Sequence, residues 1–236
     1  MATSNGAVLA DPECLRRLGD VPVDSLFEPS FWAARGELAP VSGGRGAAWF
    51  VAAGPDSWVL RHYRRGGWMA RVSSDRYAWL GEGRVRSFAE WRMLEELTRL
   101  GLPVPAPVAA RYQRAGLTYR CDLITRRIAG ARPLSAVLAE AVVTEASWRA
   151  IGAAVARLHA AGADHADLNA HNILLGGATG VSVIDFDRGS LRRPGPWTLR
   201  NLRRLHRSLT KIARRLPADR FPAAAWDALR SGYGSG

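Results

Sequence analysis

Two short stretches gather the residues that could do chemistry: His165-Ala166-Asp167-Leu168-Asn169-Ala170-His171-Asn172 and, after an apolar run, Val183-Ile184-Asp185-Phe186-Asp187. They set two carboxylates and an amide, Asp167, Asp185 and Asn172, on two loops joined by a hairpin-like segment over residues 173–184. Phosphoryl transfer calls for this set. A carboxylate near a metal but off it takes the proton of the attacking hydroxyl, while an amide oxygen and a second carboxylate hold Mg²⁺ against the phosphates. Any one of the three could equally be a turn residue capping a hairpin. Their order and spacing carry more, because His165-x-Asp167-Leu168-x-x-x-Asn172 reproduces the catalytic loop H-R-D-L-x-x-x-N, with Ala166 in place of the Arg, and Asp185-Phe186 begins as the metal-binding D-F-G does.

Such a site needs a cradle for phosphates and a cation to anchor them. Ser42-Gly43-Gly44-Arg45-Gly46 runs into an apolar strand over residues 47–51, Gly54-Pro55-Asp56 turns, and residues 57–63 return as a second strand. Glycines let backbone N–H groups approach phosphate oxygens with no Cβ in the way, so Gly43, Gly44 and Gly46 form a candidate nucleotide lid, or an ordinary turn. No lysine precedes Lys211, which leaves Arg61, two residues beyond Val59 on the same strand face, as the candidate anchor, with His62, Arg64 and Arg65 as substitutes. The helix expected from Ser87 to Leu97 carries Trp91, Leu94 and Leu97 as its apolar stripe. Glu90 there either holds the anchoring cation or, three residues after a Ser87 N-cap, closes a capping box; Glu95 and Glu96 read as solvated.

The remaining elements follow from turn and periodicity signals. Residues 1–40 read as an irregular start with one short helix near residues 12–18, and residues 102–107 as an extended, proline-rich helix exit. Strands are expected at 108–112 and 117–124, a crossing between lobes at 125–130, and helices at 133–140 and 145–160, the latter closed by Gly162 with His159 packed locally. Residues 197–216 predict a basic amphipathic helix whose apolar side is either core or bound to an anionic bilayer, and the nine tryptophans pose the same choice between core and interface. Residues 231–236 read as frayed.

Composition bounds the function further. A chain of 236 residues with 47% hydrophobic content can fill a two-lobed core, and no apolar run approaches the length of a membrane span. No apolar stretch of leader type precedes Arg16, so the chain is expected on the cytoplasmic side. Cys14 and Cys121 lack partners at metal spacing and are expected as buried thiols. The net charge of +12 is uneven: residues 61–120 carry 12 basic and 5 acidic side chains and residues 181–236 carry 12 and 4, whereas the other two quarters are balanced or acidic. Two basic blocks of this kind attract phosphate-rich partners or an anionic surface, although a general preference for arginine would also produce them.

Together these stretches resemble the 3-deoxy-D-manno-octulosonic acid (Kdo) kinases of Gram-negative bacteria, in the lipopolysaccharide-kinase branch of the protein-kinase-like superfamily. The likeness rests on Gly44-Arg45-Gly46-Ala47-Ala48-Trp49-Phe50, Leu60-Arg61-His62-Tyr63-Arg64-Arg65-Gly66-Gly67, Arg86-Ser87-Phe88-Ala89-Glu90, Gly101-Leu102-Pro103-Val104-Pro105, residues 165–175 and residues 184–189, and it covers most of residues 42–205. It implies an α+β, bilobal kinase-like fold with an antiparallel-sheet N-lobe over 1–124, a hinge at 125–130 and a mostly helical C-lobe over 131–236. It also implies ATP- and Mg²⁺-dependent phosphorylation of the 4-hydroxyl of Kdo on Kdo-lipid A, peripherally at the cytoplasmic face of the inner membrane. Carried over, Asp167 is the base, Asn172 and Asp185 are metal ligands, Gly43, Gly44 and Gly46 form the lid, and Arg61 and Glu90 form the phosphate-anchoring pair. Asp187 stands where D-F-G has glycine, and is a further metal ligand or a turn residue. Arginines over 64–71 and on the 197–216 helix become contacts for an anionic glycolipid and membrane surface, with no nucleic-acid partner expected. The catalytic residues do not read the acceptor, so a core heptose or another small sugar stays open. The missing lysine leaves open a catalytically silent binding module.

Overall fold

The computed structural model describes residues 1–3, 5–19, 21–41, 48–64, 75–193 and 195–235. The chain divides into two compact units, Met1–Glu95 with Ala106–Arg127, and Glu96–Pro105 with Ile128–Gly236.

The first unit is a sheet with short helices. In chain order it holds β1 (Ala2–Thr3), β2 (Gly6–Ala10), α1 (Pro12–Leu18), a 3-10 turn (Val23–Phe27), α2 (Pro29–Ala34), β3 (Leu38–Pro40), β4 (Ala48–Ala53), β5 (Asp56–His62), β6 (Tyr77–Ala78), most of α3 (Arg86–Arg99), β7 (Pro107–Ala115) and β8 (Thr118–Arg126). The strands form one antiparallel sheet in the order β1-β2-β7-β8-β5-β4-β3, with β6 paired to β8. Period-two alternation sorts β5: Trp58 and Leu60 are buried on one face with Leu26, Phe27 and Trp32, so Arg61 is turned to the other. Trp32 meets Trp58 edge to face at 6.1 Å and donates its indole N–H to the Leu26 carbonyl.

Residues 1–40 are therefore not an irregular extension. β2 extends the sheet through β7, and Leu26, Phe27 and Trp32 close one side of its core. Short two-to-seven-residue elements separated by prolines give little periodic signal, and tertiary pairing decides their state. The Ser87 N-cap is also corrected. The helix begins at Arg86, and the buried Ser87 hydroxyl donates to the Arg111 carbonyl on β7.

A charged network crosses this unit. Buried Arg111 bridges Asp122 at 3.0 Å and Glu28 at 2.8 Å, and Asp122 accepts from His62 Nδ1 at 2.6 Å. The Asp122 hydrogen bond raises the His62 pKa and outweighs burial, which lowers it. Buried Cys14 and Cys121 are free thiols, pushed up by desolvation to about 11 and about 12, which disfavours the nucleophilic thiolate.

The second unit is mostly helical. It contains β9 (Arg132–Pro133), α4 (Leu134–Glu140), α5 (Glu145–Ala160), β10 (Ala163–Asp164), β11 (Ile173–Leu175), β12 (Val181–Val183), β13 (Ser190–Leu191), α6 (Trp197–Ala213) and α7 (Ala223–Gly234). Thr144 caps α5 by accepting from the Ser147 N–H, and Trp148, Ile151, Val155 and Leu158 form its buried stripe. The segment Glu96–Pro105 belongs here, with Arg157 donating to the Gly101 carbonyl and Val183 to the Pro103 carbonyl. Trp148 and Trp197 are fully buried here, as Trp32 and Trp58 are in the first unit. The basic helix ends at Ala213, short of 216, and buries Leu205 and Leu209.

Residues 231–234 are not frayed but close α7, which packs on α5 through glycine. A Cβ on Gly152 would lie 2.0 Å from the Leu229 carbonyl oxygen, and one on Gly232 would lie 2.0 Å from that of Arg149. The run Ala223-Ala224-Ala225 and two glycines give α7 a weak apolar signature, which is why sequence reading misses it. His159 packs between Trp197 and Tyr233, with Nδ1 2.9 Å from the Tyr233 hydroxyl, and burial lowers its pKa to about 4. No helix among the described residues is long and apolar enough to cross a membrane.

Two outcomes follow from this packing. Gly152→Ala should destabilise the protein by about 1–3 kcal/mol through overpacking, read by chemical denaturation, whereas Gly54→Ala meets only its positive φ. His159 has a depressed folded pKa, so its contribution is present above pH 6.5 and is lost as pH falls toward about 4. His159→Phe should therefore flatten the fall of melting temperature over that window.

Candidate active site

The second unit holds the candidate loop, residues 165–172, in a closed circuit of hydrogen bonds. His165 Nε2–H donates to the Ile184 carbonyl at 2.9 Å, and the Asp167 N–H donates to His165 Nδ1 at 3.1 Å. The Ile184 N–H donates to the Asn172 carbonyl at 2.9 Å, and Asn172 Nδ2 donates to the Asp167 carbonyl at 3.0 Å. Two of these bonds tie one loop to the other and two fold residues 165–172 on themselves, so Asp167, Asn172 and Asp185 are brought together in this unit. Burial lowers the His165 pKa, which keeps the ring neutral with one nitrogen donating and one accepting, and Phe186 packs on it at 4.7 Å.

Each candidate residue is left with a distinct capacity. Asp167 is solvent-facing, with 61% of its side chain exposed, so a substrate hydroxyl can reach it. Asn169 Nδ2 donates to Asp167 Oδ2 at 3.1 Å and Arg204 reaches Oδ1 at 3.3 Å. Asn172 is buried with its amide nitrogen committed, leaving Oδ1 as the atom that can meet a cation. Asp185 adopts φ 66°, a left-handed conformation costly for a residue with a Cβ and held by the bonded Ile184 before it. Asp187 is half-buried two residues on. No group of three or more His, Cys, Asp or Glu side chains that could hold a metal occurs among the described residues. An amide oxygen and one or two carboxylates instead form the incomplete oxygen set that suits Mg²⁺ sharing its shell with phosphates and water.

In the first unit, Arg61 on β5 forms an ion pair with Glu90 of α3. Glu90 is buried and also accepts from the Tyr63 hydroxyl, while the Arg61 guanidinium lies 4.5 Å from the Tyr63 ring centroid. Burial pushes the Tyr63 hydroxyl well up, so it stays a donor. Glu90 therefore acts as a partner of Arg61 and not as a cap. Gly43, Gly44 and Gly46, with Arg65 and Arg71, lie outside the described residues; Arg64 is exposed.

Two contributors escape sequence reading. Tyr63 has a signal, since it lies two residues beyond Arg61 and so on the same strand face. Arg204 has none, because 37 positions separate it from Asp167.

Comparison with known proteins places this geometry. The lipopolysaccharide kinase (Kdo/WaaP) family matches residues 29–233. Curated 3-deoxy-D-manno-octulosonic acid kinases from Xanthomonas axonopodis pv. citri (strain 306) and Xanthomonas euvesicatoria pv. vesicatoria (strain 85-10) are each 52% identical over 209 residues, which is 88% of this chain and 81% of theirs. That of Stenotrophomonas maltophilia (strain K279a) is 49% identical over the same length. Among solved structures, WaaP in complex with acyl carrier protein aligns over 98% of this chain and 89% of its own with TM-score 0.60 at 17% identity, a likeness of fold. The chain belongs to the lipopolysaccharide kinase (Kdo/WaaP) family and has its α+β, kinase-like fold.

Removing Glu90 takes one buried carboxylate away from both Arg61 and Tyr63. Glu90→Ala should cost about 3 kcal/mol in denaturant unfolding, and Tyr63→Phe, which removes a single hydroxyl from the same carboxylate, about 1 kcal/mol.

Proposed function

We propose that this family member transfers the γ-phosphoryl group of ATP to a hydroxyl of a Kdo sugar, the 4-hydroxyl, on Kdo-lipid A. The observation that carries the reading is the hydrogen-bond circuit through His165, because it holds an exposed carboxylate, an amide oxygen and a left-handed Asp185 as one assembly. The relatives' own names supply the acceptor, a 3-deoxy-D-manno-octulosonic acid.

In this reaction the acceptor oxygen bonds to the γ-phosphorus as the bond to the ADP oxygen breaks, and Asp167 takes the hydroxyl proton. Asn169 and Arg204 orient the Asp167 carboxylate through one oxygen each. Asn172 Oδ1 and Asp185, with Asp187 as a further candidate, would hold Mg²⁺, which supplies charge stabilisation to the transferring phosphoryl group. Arg61, fixed by Glu90 and Tyr63, takes the place of the phosphate-anchoring lysine; its planar fork can grip two phosphate oxygens at once. Gly43, Gly44 and Gly46 would cover the phosphates with backbone N–H groups.

A lipid-linked acceptor puts the reaction at a membrane surface, at the cytoplasmic face of the inner membrane in this reading. Leu199 of α6 supports it: the side chain is 55% exposed on a helix that carries no acidic residue.

The test is phosphate transfer from labelled ATP to Kdo-lipid A. Asp167→Asn should lower kcat by about 10²–10⁴-fold while the rise in melting temperature with Mg²⁺ and ATP persists. Wild-type protein that binds nucleotide yet transfers nothing to this acceptor would overturn the Kdo reading in favour of another sugar.

A further inference from the structure

Beside the base, the second unit has a cavity of about 370 Å³ lined by Asp164, His165, Ala166, Asn201 and four arginines of α6, namely Arg200, Arg203, Arg204 and Arg207. The four arginines follow i, i+3, i+4, i+7 spacing, which stacks them along one helix face. That arrangement works against the helix. Arg200 with Arg204 and Arg203 with Arg207 are like-charge i, i+4 pairs, and α6 has no Asp or Glu to offset them. Arg200 also lies near the positive end of the helix dipole, where cations are disfavoured.

The surroundings do not neutralise this charge. Among the described residues, Arg200, Arg203 and Arg207 have no ion-pair partner, and Arg204 reaches only Asp167. Asp164, the one carboxylate in the lining, already accepts from Asn201 Nδ2 at 2.7 Å and from Arg192 at 3.2 Å. His165 is neutral and has both ring nitrogens committed, so it neither adds charge nor competes for a ligand. Solvated surface arginines would explain a helix face, but not four of them converging on one cavity that adjoins a catalytic carboxylate.

Position 166 fits the same picture. The kinase loop motif carries Arg here, and this chain has an exposed Ala whose small side chain lines the cavity and leaves it open. Room and positive charge are therefore supplied by different elements at one place.

We propose that this cavity is the anion subsite of the acceptor: Arg203 and Arg207, with Arg200, bind an oxyanion of the sugar substrate through guanidinium forks while its hydroxyl lies at Asp167. This rests on the kinase reading above. An octulosonic acid has its carboxylate and its ring hydroxyls on a single sugar, so an acceptor of the relatives' kind presents both groups within one sugar's width. Arg204, which lines the cavity and touches Asp167, spans the same gap. A neutral sugar would leave the arginines unpaired, so the cavity selects for acidic acceptors.

The test uses the double variant Arg203→Gln/Arg207→Gln and, separately, Ala166→Leu, which fills the cavity and keeps every arginine. Both are assayed with Kdo-lipid A, with its Kdo methyl ester and with its dephosphorylated lipid A form, and the rise in melting temperature with Mg²⁺ and ATP checks that each variant is folded. The KM for Kdo-lipid A should rise about 10- to 100-fold in both variants, with the KM for ATP unchanged. Esterifying the carboxylate should raise the wild-type KM to the same extent and erase the difference between wild type and double variant. If dephosphorylation erases it instead, the oxyanion is a lipid A phosphate and the subsite stands with that source. Variants that keep the wild-type acceptor KM would overturn the subsite. Wild type that transfers no phosphate would overturn the kinase reading alone; the cavity would then be read by the melting-temperature rise with free Kdo, expected in wild type and lost in the double variant.

Discussion

A single neutral imidazole sets the separation of the two loops that carry the candidate site residues. His165 can bridge them only while Nε2 carries a hydrogen and Nδ1 carries a lone pair, because it donates to Ile184 and accepts from Asp167. A proton on Nδ1 would face the Asp167 N–H with another donor and open the circuit. Burial holds that proton off. The Asp167 carboxylate can then stay exposed, since its position is fixed through its backbone and not by packing of its side chain.

The arginines divide along the same line between structure and chemistry. Those inside the first unit are matched: Arg111 with Asp122 and Glu28, Arg126 with Asp56, Arg61 with Glu90. Breaking such a buried pair costs far more than a surface pair contributes. On α6 the pattern reverses, with cations gathered and carboxylates absent. Bulk charge therefore says little about this protein, whereas the sites where positive charge lacks a partner say where an anion belongs.

What was legible in the sequence had local physics behind it. Ile151, Val155 and Leu158 repeat at helical spacing, Gly54-Pro55-Asp56 marks a hairpin, and His165, Asp167, Asn172 and Asp185 stand at fixed intervals, so α5, β4 with β5, and the loop around Asp167 could be placed. The pairing of Arg61 with Glu90 was legible because each element showed which face its residue occupies. Elsewhere the deciding contacts are distant. β2 is a strand because β7 pairs with it, Ser87 looks like a cap until the Arg111 carbonyl claims its hydroxyl, and α7 is held by glycine contacts that no hydrophobic pattern records. The left-handed φ of Asp185 and the approach of Arg204 to Asp167 belong to the same class.

The way the chain weaves between its two units has a consequence for inheritance. Glu96–Pro105 lies in sequence amid the first unit but belongs to the second, where the Gly101 and Pro103 carbonyls accept from Arg157 and Val183. A gene fragment beginning at Ile128 would lack both acceptors, and its partner fragment would carry them between α3 and β7 without the donors Arg157 and Val183. A single crossover near residue 128 would therefore pair the Gly101 and Pro103 carbonyls of one gene with the Arg157 and Val183 donors of another.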